Sequence, residues 1–597
     1  MNKNALKPIS QTLNFDVVVI GGGMAGICAA IASARQGAKT ALVQDRPVLG
    51  GNASSEIRMH ITGATRHGKA GRDNLRETGI IEEILLENKH RNPAHSYGMF
   101  DALLWEKCNY QENLSLYLNT YINEVKTENA KIVSVSGTQM STEKQLTFIS
   151  KMFIDCTGDG SISEKSGAEY LYGRESSADF DEPGAIDRTD TVTQGNTIQF
   201  RSLDAGREVP FERPSWAYDF SGEEWVYKKS WDWFDSGFWW VELGGTKLNT
   251  LTDSEEIKEE LLKVVYGLWD IIKNHSDQAE NAKNFYLDWV GFVSAKRETH
   301  RVIGDYVLKE QDILSNKVFE DAISYGGWHI DSHRPECFYA HVNDTPHTED
   351  KTVMFEGIYT VPYRSIYSKD IENLYLGGRC ISATHRAFCS TRVMATCAVA
   401  GEAAGIAAAL AVKKGKTARQ LSEDINELQQ LILRSGCYIP EFKNEDKADK
   451  ARIAHITATS EKSEAINVIN GISRPVGKNS NMWEACGTGE SLSLKWDKPQ
   501  KISQVELTFD SNLSVEIMIS LSKWCHGHQT DGVPDTIVKD YKIEYFLNGK
   551  VVDTKSVKDN HQRVNVLKTQ TVCDEIKVTV EQTHGCENAR IIEIRAY

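Results

Sequence analysis

No two of the twelve cysteines in this 597-residue chain form a C-x-x-C pair, and the His and Cys spacings match no zinc pattern. Neither a disulfide framework nor a metal site is expected. The cysteines read as small core residues in a reduced, cytoplasmic compartment. No apolar run approaches the roughly 20 residues of a membrane span. The longest, residues 398–412, is Ala-rich and carries Glu402, which reads as a core helix. Residues 1–14 contain no apolar signal region and read as a polar leader. Basic charge is also scarce: the net charge of −15 argues against nucleic acid as a partner. With 40% hydrophobic and 25% charged residues the chain is globular rather than disordered. Its length exceeds the roughly 250–300 residues at which single cores stop growing, so several domains are expected.

The most informative stretch, residues 15–51, reads FDVVVIGGGMAGICAAIASARQGAKTALVQDRPVLGG. Residues 16–20 are the apolar, β-branched run of a buried parallel strand. Gly21, Gly23 and Gly26 then give the spacing G-x-G-x-x-G. The first allows a tight turn, the second lets backbone approach a pyrophosphate, and the third lets helix pack on strand. An amphipathic helix follows over residues 24–35, and a second strand over 39–43. A strand before the glycines and a helix after them are the context that makes this spacing a dinucleotide site, with phosphate at the helix N-terminus.

The following VLGGN, with Gly50, Gly51 and Asn52, resembles the second glycine pair of FAD-dependent oxidoreductases of the glutathione reductase and fumarate reductase lineages. That resemblance implies FAD. It also puts Gln44, beside Asp45 and Arg46, where those proteins carry an acidic residue on the adenosine ribose. Residues 114–150 read as short alternating strands and resemble the β-meander of these flavoproteins, with Val125 matching the residue that touches adenine through backbone. KMFIDCTGDG, with Thr157, Gly158 and Asp159, resembles their A-T-G-D motif. Residues 359–411 resemble the closing motif of the fumarate reductase lineage. There Gly378 and Arg379 end a strand, the following loop and helix start cover the flavin ring, and small residues from Gly401 to Ala408 allow close approach to the cofactor. Arg392 matches the substrate-binding arginine, and His385 lies in the segment facing the ring.

Residues 52–75 are polar, Gly/Arg/His-rich and too long for an idle connection; Arg58, His60, Arg66 and His67 are of interest there. Residues 289–308 contain R-E-T-H-R-V-I-G-D-Y, similar to a motif of FAD-dependent oxidoreductases common in bacterial carbohydrate-utilisation clusters. Read as a helix, it places Arg297, His300 and Arg301 on one face. Nine of the thirteen tryptophans fall between Trp216 and Trp328, as either a sugar-stacking surface or core. Residues 456–597 alternate in short strands and resemble a galactose-binding-like (discoidin, F5/8 type C) sandwich; such modules bind glycans, shape a dimer or shield an active site.

The expected fold is α/β: a Rossmann-like FAD-binding domain of parallel sheet plus β-meander, an inserted α+β substrate domain and a C-terminal all-β sandwich. The divisions are a leader at 1–14, FAD-binding parts at 15–169 and 346–436, the insertion at 170–345, a linker at 437–455 and the sandwich at 456–597. The expected activity is hydride transfer between flavin N5 and a small polar substrate. A carbohydrate or glycoside is favoured, with oxidation of a hydroxyl or redox-assisted glycoside cleavage as variants. His385 is the first choice of base, His60 the second, and Arg392 and Arg297 would bind substrate oxygens. Reduction of an unsaturated acid or keto-sugar uses the same parts. Flavin-dependent tRNA modification and a non-catalytic glycan-binding protein with structural FAD are the remaining alternatives. The electron acceptor, covalent attachment of the flavin and a homo-oligomeric state stay open.

Overall fold

Val17, Val18 and Val19 are fully buried, and they anchor the strand on which the molecule is built. The computed structural model describes residues 9–69, 71–343 and 351–597. In it, β1 (Ser10–Ile20) leads into helix α1 (Met24–Arg35) and β2 (Thr40–Val43). Helices α2 (Ile80–Arg91) and α3 (Tyr97–Asn109) precede β3 (Leu114–Tyr117). Then come β4 (Thr120–Glu128), β5 (Lys131–Gln139) and β6 (Lys144–Asp155). The order across this sheet is β3-β2-β1-β6-β5-β4. Strand β6 is parallel to β1 and antiparallel to β5. Strand β1 begins at Ser10, within the stretch read as a leader, because Ser10 to Asn14 pair with Gln145 to Ile149 of β6. Residues 1–8 of that leader lie outside the described residues. Strand β3 joins the parallel part of the sheet beside β2 rather than the meander; alternation in a four-residue strand does not specify its partner.

The insertion contains β7 (Phe200–Asp204), α4 (Ser254–Asp270) and β8 (Phe285–Val290), with β7 and β8 antiparallel. Its tryptophans divide. Trp231 and Trp269 are buried in a core with Ile257 and Leu261, whereas Trp216, Trp233 and Trp239 are exposed. Next come β9 (Ala322–Gly326) and β10 (Tyr359–Pro362), an antiparallel pair. The boundary expected at 345/346 lies outside the described residues. Strand β11 (Leu374–Leu376) then returns to the first sheet, parallel to β6. Helices α5 (His385–Thr391), α6 (Met394–Lys414) and α7 (Ile425–Arg434) complete this part. Helix α6 has the length and apolarity of a membrane span, but 94% of its apolar 18-residue window is buried inside the protein. An added Cβ on Gly401 would meet Ala25 backbone, and one on Gly405 would meet Ala29 backbone. The small residues expected to admit the cofactor thus admit helix α1.

Residues 437–455 are no free tether: Tyr438, Ile439, Asn444 and Ala451 are buried. Beyond them, β12 (His455–Ala458) and β13 (Trp483–Glu484) precede the long β14 (Ser491–Phe509). A short helix α8 (Lys523–Gly527) is followed by β15 (Val538–Leu547) and β16 (Lys550–Val557), then β17 (Val564–Thr583) and β18 (Arg590–Ala596). The order is β13-β18-β14-β17-β15-β16, with β12 on β14, antiparallel throughout. Trp483, Leu494, Tyr541 and Ile594 fill its core. This sandwich is fused to the α/β part by buried arginines. Arg76 donates to Glu82 at 2.7 Å and to the carbonyl of Asn512 at 3.0 Å. Arg474 donates to Tyr325 Oη at 2.9 Å and to the carbonyl of Asn74 at 3.2 Å.

Candidate active site

The C-terminal ends of β1, β2, β6 and β11 form the crevice in which open α/β sheets bind ligands. At its phosphate end, a Cβ on Gly21 would lie 2.1 Å from the Cys156 carbonyl oxygen, and one on Gly26 would lie 1.8 Å from that of Gly21. A Cβ on Gly23 would meet nothing within 4 Å. Gly23 caps α1 without a side-chain hydrogen bond, and no acidic residue stands in the first turn. Gly50 donates to the Gly22 carbonyl at 2.8 Å, and a Cβ on Gly51 would lie 3.0 Å from Gly23 Cα. The two glycine pairs thus press backbone on backbone and leave a side-chain-free cradle at a positive helix end. This cradle fits the diphosphate of a dinucleotide.

At the end of β2, Gln44 accepts from the Gly22 amide at 2.6 Å, so its carbonyl oxygen braces the glycine loop. Asp45 is exposed, and Arg46 pairs with Glu56 at 3.3 Å. The backbone of Thr120 donates to Gln44 at 2.8 Å and that of Asn119 to Arg46 at 3.2 Å. Val125 lies five residues farther along β4, paired with Val135 of β5. Asn119 and Thr120 are thus the residues of this turn bonded to the end of β2.

Toward the middle, Asn52, Gly158, Asp159 and Arg379 converge on Lys296. Asn52 donates to its carbonyl at 3.1 Å, its ammonium pairs with Asp159 at 2.6 Å, and Arg379 also donates to its carbonyl. Arg379 donates to Gly158 O at 3.1 Å. Gly378 has φ +72° and rests against Ala25. The Thr157 hydroxyl donates to Asp155 at 2.7 Å, which shapes the turn after β6.

The R-E-T-H-R segment is irregular rather than helical, entering a short strand only at Arg301, and its side chains take separate partners. His300 Nδ1 lies 2.9 Å from the Asp159 carbonyl. Arg301 donates to Glu298 at 2.7 Å and to Glu175 at 2.6 Å. Arg297 is buried, donating at 2.7 Å to Glu242 and at 2.7 Å to the Gly195 carbonyl. The expected shared face does not form. Arg297 also donates to the Trp239 carbonyl at 3.1 Å, so its guanidinium is engaged on three sides.

His385 Nδ1 lies 2.8 Å from Glu298 Oε1, and Glu298 also accepts from the Gln194 amide at 3.0 Å. Burial alone would raise the Glu298 carboxyl, but the charges of His385 and Arg301 outweigh it and hold it below the usual range. Beside this pair runs a chain of charges: Arg392 to Asp331 at 3.0 Å, Asp331 to His333 at 3.5 Å, and His333 to Glu242 at 2.9 Å. Burial disfavours charge on His333, but Glu242 and Asp331 overcome it and raise its pKa. Gln194 joins the two groups, donating to the Asp331 carbonyl at 3.3 Å and to Cys389 Sγ at 2.9 Å.

His60 sits elsewhere. Its ring meets that of His67 edge-on at 5.5 Å, and burial lowers the pKa of His60 to about 4 and that of His67 to about 3. Arg58, Arg66 and His67 have φ values of +60°, +49° and +62°, a conformation that costs a non-glycine residue about 1–3 kcal/mol. Sequence reasoning missed Lys296, Glu298, Glu242 and Asp331. The first two lie inside the segment singled out, but the helical reading aimed them wrongly. Among the described residues no His/Cys/Asp/Glu cluster could hold a metal ion.

Residues 16–432 match the family described as FAD dependent oxidoreductase. Part of the chain is also similar to solved carbohydrate-binding modules. These include the family 32 module of C. perfringens NanJ in complex with galactose (22% identity, 24% of this chain and 94% of that one, TM-score 0.18). Another is the family 32 module of Streptococcus pneumoniae EndoD (15%, 24% and 94%, TM-score 0.20). A third is a point mutant of chitosan-binding module 1 from a Paenibacillus sp. IK-5 chitosanase/glucanase (12%, 25% and 97%, TM-score 0.19).

Proposed function

Because the chain belongs to the FAD dependent oxidoreductases, FAD is its cofactor, and we propose that it oxidises a hydroxyl group of a sugar or glycoside. Charge balance at the substrate end carries this reading. Arg392 and Arg297, the arginines expected to meet substrate oxygens, are each already paired, with Asp331 and Glu242. A dicarboxylate calls for an unspent cation. A neutral polyol calls for donors and acceptors side by side, which the alternating Arg, Asp, His and Glu side chains supply. The apolar face of a sugar ring also calls for aromatic surface. Trp239, 61% exposed, stands edge-on to His333 at 6.1 Å.

When bound, FAD supplies the two-electron acceptor. The chain handles the proton. Glu298 on Nδ1 holds His385 in the tautomer whose Nε2 is basic, so Nε2 takes the proton of the hydroxyl being oxidised. The imidazolium then faces a carboxylate that stabilises it. His60, lowered to about 4 with no carboxylate beside it, is the weaker base. Arg392 is the arginine positioned for a substrate oxygen, and Arg297 holds Glu242 and, through it, His333.

Anaerobic bleaching of the purified yellow protein by monosaccharides and glycosides tests the reading. Bleaching by one of them supports it. Bleaching by dithionite but by no sugar overturns it and turns attention to reduction of unsaturated acids and keto-sugars.

A further inference from the structure

The sandwich reaches the redox site. Its loop carrying α8 lies on the residues that follow the second glycine pair: Thr65 donates to buried Glu516, and the Lys523 amide donates to Asp235 of the insertion at 3.0 Å. Directly after the second anchor, Trp524 projects. Its ring meets His67 edge-on at 5.6 Å, lies over His528 at 4.3 Å, and stands 6.4 Å from Trp233 of the insertion, tilted by 38°. His67 meets Trp328 at 5.6 Å, and Trp328 lies on His329 at 4.6 Å. His329 Nε2 is 3.5 Å from Asp331, the carboxylate paired with Arg392. The aromatic ledge therefore runs without a break into the charged network at the substrate end.

Two features single this ledge out from ordinary core. Trp233 is 64% exposed and Trp524 38% exposed, although aromatic rings of this size usually bury most of their surface. The ledge also ends at polar groups, since His329 Nε2 lies 3.5 Å from Asp331. Exposed ring faces that lead to an imidazole and a carboxylate match a pyranose ring, which offers an apolar C–H face and a rim of hydroxyls.

Resting on the sugar-oxidation reading, we propose that Trp524 and Trp233 form a saccharide-binding subsite beside the redox centre, so that the C-terminal sandwich is a structural part of the substrate site. The ring bound there is the part of a glycoside that is not oxidised. Its anchoring adds affinity for the whole glycoside and leaves the reacting ring to the groups around His385.

The test uses the full-length holoenzyme and two single variants, Trp524→Ala and Trp233→Ala, with Trp524→Phe as the conservative control. Isothermal titration of the oxidised protein with the glycoside that bleaches it gives binding, and anaerobic stopped flow gives the reduction rate. Both alanine variants should keep FAD content and melting temperature and weaken glycoside binding about tenfold or more. The limiting reduction rate should change little, and Trp524→Phe should restore most of the affinity. Binding of a monosaccharide substrate should hardly respond. If glycoside affinity is unchanged in either folded, yellow alanine variant, the subsite is wrong while sugar oxidation stands. If no sugar binds or bleaches the wild-type protein, both readings fall together.

Discussion

A methyl group added to Gly26 would sit 1.8 Å from a carbonyl oxygen, whereas the Glu242 carboxylate depends on having Arg297 at 2.7 Å and His333 at 2.9 Å. The two ends of the crevice are built from opposite materials. The phosphate end is backbone against backbone, so it is damaged by addition. The substrate end is a web of buried ions, so it is damaged by subtraction, because a buried charge without its partner costs far more than the pair contributes. The same fold thus meets a ligand of fixed shape with close packing and a reacting substrate with adjustable charge.

Glycine variants give the sharpest contrast. Gly26→Ala should yield no folded, FAD-bound protein, since the added carbon overlaps backbone that cannot yield. Gly23→Val should fold, with near-wild-type circular dichroism and melting temperature, yet emerge colourless, because its side chain has room only where the diphosphate belongs. A yellow Gly23→Val protein would move the diphosphate elsewhere. At the other end, His385→Ala should keep FAD and slow flavin reduction by sugar about 10²- to 10⁴-fold. His60→Ala should change that rate little; equal losses in both variants would remove the distinction drawn between them. Arg297→Ala should lose about 3–5 kcal/mol of stability in urea unfolding, because it strands Glu242 in the interior. Arg392→Ala, at a side chain 12% exposed, should lose less stability and act mainly through KM.

The smallest effects concern pH, and they have opposite signs in the two histidine groups. The pKa of His333 is raised in the folded protein. Its contribution is full below the unfolded value near 6.5 and fades as pH rises through the folded value. Glu242 is lowered, so its contribution is present above about pH 4.5 and fades on acidification. His60 and His67 are lowered to about 4 and about 3. The unfolded chain takes up protons near pH 6.5 that these sites refuse, so stability falls as pH drops below 6.5. Urea midpoints at several pH values should show His67→Phe resisting acid better than wild type, and His333→Phe losing the decline on the alkaline side. A wild-type acid limb retained in His67→Phe would assign that limb to other groups.

The phosphate end was legible in the sequence because it is local. Gly21, Gly23 and Gly26 lie within six residues, so their spacing alone announces the turn, although the carbonyl that Gly21 must clear belongs to distant Cys156. The substrate end is assembled from distant segments, and no spacing announces that Glu242 will meet Arg297 or that Trp524 will meet His67. Where the sequence misled, it did so through ambiguity. Arg297, His300 and Arg301 stand at helical intervals, yet the segment forms no helix, and each meets a different partner: Glu242, the Asp159 carbonyl and Glu175. Gln44 was placed correctly at the end of β2, but its amide is engaged by the Gly22 backbone, a contact that charge and hydropathy do not encode.

Gly401 and Gly405 let α6 lie on α1 at backbone contact, with Ala25 and Ala29 opposite them. The helix that would receive the diphosphate and the helix that follows Arg392 are therefore one beam, with no compressible side-chain layer between them. The separation of the phosphate cradle from the arginine is therefore fixed by a backbone-to-backbone contact, and a large side chain at Gly401 would disturb both ends although it lies in neither.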